Sequence, residues 1–104
     1  LKWYRLAAIG GSAEAQNNLG VFYLNGNVVK MWPELAVTLF YISAKGGCAS
    51  ALYNLGMCYY RGYGVERNKD KGREFLQQAA EMGEPSATKI LDMANEISNY
   101  LMEE

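Results

Sequence analysis

The sequence predicts an all-α solenoid built from helix–loop–helix units with a 36-residue period. Three observations predict it. The segment Ala13–Tyr23 recurs as Ala49–Tyr59. Within each copy the apolar and small residues fall at helical spacing. Glycines recur where each helix has to end.

The repeat is well marked. Ala13, Ala15, Asn18, Leu19, Gly20, Tyr23, Gly26, Val29, Ala44 and Gly47 each match the residue 36 positions on, ten identities in 36. Sequence of average usage would give roughly two. A weaker copy opens the chain: Trp3 to Gly11 aligns with Leu39 to Gly47 and with Phe75 to Gly83. The chain therefore begins inside the second half of a unit. Residues 85–104 occupy a further first half, keeping Ala87 and Leu91 but placing Asp92 at the glycine position and Asn95 at the tyrosine position. The expected organisation is one repeat domain over 1–104. Residues 1–12 end a preceding repeat, 13–48 and 49–84 are full repeats, and 85–104 form a C-terminal capping helix with a polar outer face.

Each element has a local reason. In the first helix of a unit (helix A), Ala15, Leu19, Phe22, Tyr23 and Gly26 fall at i, i+4, i+7, i+8 and i+11. Gly26 and Gly62 then stop the helix. The second helix (helix B) begins at Pro33 in one unit, proline being tolerated at the first helical position. In the other it begins after Asn68, a good N-cap, with Asp70 in the first turn. Both B helices run to glycine-bearing turns at 44–47 and 80–83. Helices are expected near 1–10, 13–26, 33–46, 49–62, 69–82 and 85–102. Gly20 and Gly56 sit at one phase of helix A, where a side chain would hold off the neighbouring helix; Ala44 and Ala80 are small for the same reason on helix B. The first helix lacks its A partner, so its apolar edge should be exposed or covered by sequence outside this chain.

Composition narrows the function. The 104 residues contain no histidine, which removes His-based catalysis and His-ligated metals. Two cysteines cannot supply a four-thiolate zinc site. Cys48 and Cys58 stand about 15 Å apart along a helix axis, beyond the roughly 7 Å Cα separation a disulfide spans. Cys58 aligns with Phe22 and reads as a small core residue. The carboxylates are scattered, and no glycine-rich phosphate loop follows a strand. No cofactor is expected and no catalytic or metal site is assigned. No apolar run approaches the roughly 18–20 residues of a membrane span. Leu1-Lys2-Trp3-Tyr4-Arg5 lacks the apolar core of a signal peptide, but without an initiator Met this says nothing about a longer parent. Net charge is −1. It is unevenly spread, +5 over residues 1–73 and −6 over 74–104.

The repeated residues resemble the Sel-one-like repeats (SLR), relatives of the tetratricopeptide repeats. That pattern reads A-x3-L-G-x2-Y-x2-G-x-G-V-x2-D-x2-K-A, then an aromatic and K-A-A-x2-G. The second unit matches it at Ala51, Leu55, Gly56, Tyr59, Gly62, Gly64, Val65, Lys71, Phe75, Ala79, Ala80 and Gly83. The first matches at Ala15, Leu19, Gly20, Tyr23, Gly26, Val29, Ala36, Leu39, Ala44 and Gly47. Val28 departs at a loop glycine, and Trp32 departs at the capping Asp and is expected to be exposed. The resemblance implies a right-handed alpha-alpha superhelix. It also implies a protein-interaction scaffold or adaptor rather than an enzyme, with a protein partner, alone or within a larger complex.

In related solenoids the A-helix face opposite the buried stripe lines the concave surface. At 100° per residue, Asn17, Val21 and Leu24 lie roughly 140–200° from Leu19. The same phase gives Tyr53, Met57 and Tyr60 in the second unit, and Lys89, Met93 and Glu96 in the last helix. Asn17, Val21, Leu24, Tyr53, Met57, Tyr60, Lys89 and Met93 are the candidate protein-binding residues. Tyrosine and methionine suit recognition surfaces. Tyr53 and Met57 replace the lysine and asparagine of carboxylate clamps, which argues against capture of a peptide C-terminus in that manner. The competing reading uses the basic loop 61–73. There Arg61, Arg67, Lys69, Lys71 and Arg73, with Tyr60 and Tyr63 interleaved, would meet RNA or an acidic partner. Glu66, Asp70 and Glu74 break that cluster, so nucleic acid is the less favoured partner.

Overall fold

The computed structural model describes residues 2–26 and 29–103. Val28 lies outside them. Six helices follow one another: α1 (Lys2–Ile9), α2 (Ala13–Asn25), α3 (Pro33–Lys45), α4 (Ala49–Arg61), α5 (Lys69–Glu81) and α6 (Pro85–Glu103). No strand occurs among the described residues. Successive helices pack on each other, giving an elongated body of 53 × 25 × 19 Å. This is an all-α helical-repeat superhelix. The expected helices are all present, most of them one residue shorter because the capping residue lies outside the helix.

The repeat is a repeat of hydrogen bonds. The turn from a B helix into the next A helix occurs three times. Ser12, Cys48 and Glu84 each donate a backbone N–H to Ala7, Ser43 and Ala79, at 3.0, 3.2 and 3.0 Å. Each turn has a glycine at positive φ: Gly11 at 93°, Gly47 at 94° and Gly83 at 90°. Side chains rarely adopt that conformation, so this turn fixes glycine every 36 residues. The loop from A to B repeats as well. Trp32 N–H donates to Tyr23 O, and Asn68 N–H donates to Tyr59 O, both at 2.8 Å.

Caps differ between the copies. Asn68 accepts from Lys71 N–H, and Ser12 from Ala15 N–H. Trp32 makes no side-chain cap. It is 53% exposed, and its ring meets Tyr23 edge-on, with centroids 6.2 Å apart. The edge-on ring contact holds Trp32 in place of a cap, and Pro33 at the first helical position has no N–H that needs an acceptor.

The core lies between A and B helices in two clusters. One centres on Ala36, Val37, Phe40, Leu55 and Cys58. The other centres on Leu52, Leu76, Ala79 and Ala87. The two units solve the A–B contact differently. In the first, a Cβ on Gly20 would stand 2.6 Å from the buried ring of Phe40. In the second, Leu76 replaces the phenylalanine and Gly72 replaces Ala36. The two backbones then meet directly: a Cβ on Gly56 would lie 2.9 Å from Gly72 O, and one on Gly72 would lie 2.7 Å from Gly56 O.

Buried polar groups tie neighbouring helices. Gln16 Nε2 donates to Ala8 O at 3.1 Å, linking α2 to α1. The fully buried Ser43 hydroxyl donates to Ala13 O, linking α3 to α2. The ends are apolar. On α1, Trp3, Leu6 and Ile9 are 82, 53 and 84% exposed. On α6, Ile97, Tyr100 and Leu101 are 59, 64 and 65% exposed. These apolar residues share the end of α6 with exposed Glu96, Ser98 and Asn99.

A mid-helix Gly→Ala change ordinarily stabilises by about 1 kcal/mol. At Gly72 the sign should reverse. Gly72→Ala should destabilise by about 1–3 kcal/mol, and Gly56→Val by about 2–4 kcal/mol, through overpacking against backbone that cannot retreat. Urea titration followed by circular dichroism checks both. Neighbours share stability in a solenoid, so the whole chain should melt earlier.

Candidate interaction surface

The face singled out on the A helices is half rooted in the core. Val21 and Leu24 pack against the Phe40–Leu55 cluster, and Tyr53 and Met57 against the Leu52–Leu76 cluster. Both pairs, with Tyr60, are half-buried. Lys89 and Met93 are exposed on α6.

Asn17 corrects the sequence-based expectation. It is 8% exposed, and its amide oxygen accepts from Asn54 Nδ2 at 2.9 Å. This bond joins α2 to α4, one A helix to the next. Asn17 therefore braces the face and offers it little surface. Asn54 matches Asn18 in the repeat, and that shared asparagine was the available signal for a polar tie on this face.

A second feature was not legible in the repeat. Met57, Tyr60, Arg61, Arg73, Leu76 and Ile90 line an open cavity of about 260 Å³ where α4, α5 and α6 meet. It is continuous with the A-helix face through Met57 and Tyr60. Its apolar part comes from Met57, the buried Leu76 and the half-buried Ile90. Arg61 and Arg73 are exposed and make no hydrogen bond or ion pair with described residues. α6 supplies the third wall through Ile90, a position that the repeat did not single out.

The other basic residues are partly engaged. Lys69 Nζ stands 5.8 Å from the Tyr60 ring centroid. Lys71 Nζ stands 4.8 Å from that of Tyr59, whose ring lies 5.6 Å from Phe75. Cation–π contacts of this kind hold the lysines against the A helix.

Both cysteines are free thiols. Burial pushes the Cys58 thiol from 9.0 up to about 11, against the opposing pull of the Arg61 charge. No group of three or more metal-binding side chains occurs among the described residues. No described helix is long and apolar enough to cross a membrane.

These features accompany a clear family match. The Sel1 repeat model matches residues 1–12, 13–48 and 49–84. The chain belongs to the Sel1 repeat family. A Sel1 repeat protein from Oxalobacter formigenes is 34% identical, with a TM-score of 0.82 over 88% of this chain and 68% of that one. The protective antigen c5321 of uropathogenic Escherichia coli, which displays an SLR fold, is 38% identical with a TM-score of 0.81. That match covers 86% of this chain but only 19% of the antigen. Helicobacter pylori cysteine rich protein B is 25% identical, with a TM-score of 0.79 over 86% of this Sel1 chain and 67% of its own. No curated protein gives a significant sequence match.

The thiols give a local test of packing. A folded-state value raised above the unfolded one means that stability is intact below pH 9 and declines as pH rises towards 11. At pH 8, an aromatic disulfide reagent should label Cys48 first. Cys58 should react only as the chain opens, and both should react together in denaturant. Equal rates in native buffer would contradict the burial of Cys58.

Proposed function

We propose that this Sel1 repeat chain is a protein-interaction scaffold with no catalytic chemistry of its own. Its partner lies along the concave, A-helix face. Sel1 repeats are typically protein-interaction scaffolds, which supplies the class. One observation carries the site: Val21, Leu24, Tyr53 and Met57, rooted in the core, form an apolar and aromatic strip with the half-buried Tyr60. A helix face left to water is ordinarily polar. Rooted aromatic side chains lose little rotamer freedom when a partner covers them, which favours tight contacts. Lys89 and Met93 extend the strip along α6, and Asn17 supports it from below.

The basic loop 61–73 is the lesser reading. Lys69 and Lys71 already lie over tyrosine rings of the same chain, and Glu66, Asp70 and Glu74 interrupt the cluster. A phosphate track needs several free cations in a row.

The test compares two tyrosines about 1.7 turns apart on α4. Affinity capture followed by mass spectrometry supplies a partner. Tyr53→Ala should then weaken its binding by about 2 kcal/mol or more, roughly thirtyfold. Tyr59→Ala, which removes the contact with Phe75, should lower the melting temperature more than Tyr53→Ala does. Equal unfolding by both would make Tyr53 a core residue and move the site to the convex face or the loops.

A further inference from the structure

We infer that the cavity between α4, α5 and α6 receives a bulky apolar side chain of the partner, flanked by carboxylates that pair with Arg61 and Arg73. This rests on the A-helix face being the binding surface, and it specifies the partner's chemistry there. Three observations converge. The cavity, at about 260 Å³, falls below the roughly 300–1,000 Å³ of typical small-ligand pockets; it suits one anchoring side chain better than a whole cofactor. Its interior surfaces, from Met57, Leu76 and Ile90, are apolar and reward burial of an aliphatic or aromatic group. Its charge is of one sign: two guanidinium groups line it, and no acidic side chain does among the described residues.

The arginines decide the class of partner. Neither is held by a carboxylate among the described residues, so a partner carboxylate displaces only water there. Arginine also offers a planar fork that carboxylates can bridge through two hydrogen bonds. An apolar interior beside two such forks matches a peptide segment in which Leu, Ile, Met or Phe stands next to Asp or Glu. A nucleic acid would find two cations and one tyrosine here, too few to follow a phosphate backbone.

The probe is a random dodecapeptide display library, selected on the whole chain. Enriched sequences should place a bulky apolar residue beside Asp or Glu. A synthetic peptide of that consensus should bind at least tenfold more weakly to the Arg61→Glu/Arg73→Glu variant, whose side chains are exposed and unpaired. Replacing its apolar residue by Ser should cost a similar factor. With the unaltered chain its affinity should also fall about tenfold between 50 and 500 mM salt, which keeps the test valid if the double variant misfolds. Enrichment of neutral or basic peptides overturns the proposal. So does charge reversal or salt that changes affinity less than twofold. If Tyr53→Ala, outside the cavity, still weakens that peptide, the A-helix surface survives and the cavity assignment alone falls. Failure to enrich any peptide, or indifference to all these variants, sinks both. A fluorescent uridine dodecamer that binds and is released by the same arginine reversals would overturn it in favour of RNA.

Discussion

The A–B helix contact at the paired small residues sets the geometry of everything else. In the second unit, the Gly56 and Gly72 backbones approach until a Cβ on either would stand within 2.9 Å of the other's carbonyl oxygen. That approach lets Leu55 and Leu76 bury almost fully, at 1 and 2% exposure. It also leaves the opposite side of helix A out of the A–B contact. In the first unit the same phase holds a phenylalanine ring over Gly20 instead. Two side-chain solutions thus keep one backbone arrangement, because the glycine is kept and its cover is changed.

The positive-φ turns carry this contact from unit to unit. Gly11, Gly47 and Gly83 have nearly the same φ, so successive A helices leave their turns in the same way. The A helices then line up as neighbours, joined by the Asn17–Asn54 bond. The apolar strip follows from that alignment. Val21, Leu24, Tyr53, Met57 and Tyr60 are each half-buried, so the strip's tyrosines and Met57 stand on this surface with part of their area already packed.

The architecture was legible in the sequence because it is written several times. Gly47 and Gly83, or Tyr23 and Tyr59, fix each other's meaning, and all six helices emerged with boundaries set by those pairs. What was not legible came from positions that occur once. Asn17 read as open surface because its counterpart is Tyr53, yet a hydrogen bond across 37 residues buries it. The pairing of Arg61 and Arg73 around one cavity depends on how α6 docks, and α6 matches the repeat at few positions. Sequence phase told which face of a helix a residue occupies; it did not tell which neighbour fills the space above it.

α6 keeps some repeat positions and departs at others. It carries Leu91 and Ala87 at their repeat positions, and Ala87 is fully buried. Asp92, however, stands where α2 and α4 have Gly20 and Gly56. A B helix at the α4–α5 spacing would bring backbone within about 3 Å of its Cβ, as the Gly56 geometry demonstrates, and would bury a carboxylate against carbonyl oxygens. α6 runs for 19 residues where α2 and α4 have 13. Its extra turns carry Tyr100 and Leu101, and the acidic charge of Glu96 and Glu103 accompanies them. Ile90 and Ala94 line the cavity beside Arg61 and Arg73, so the docking of α6 on α5 completes its wall.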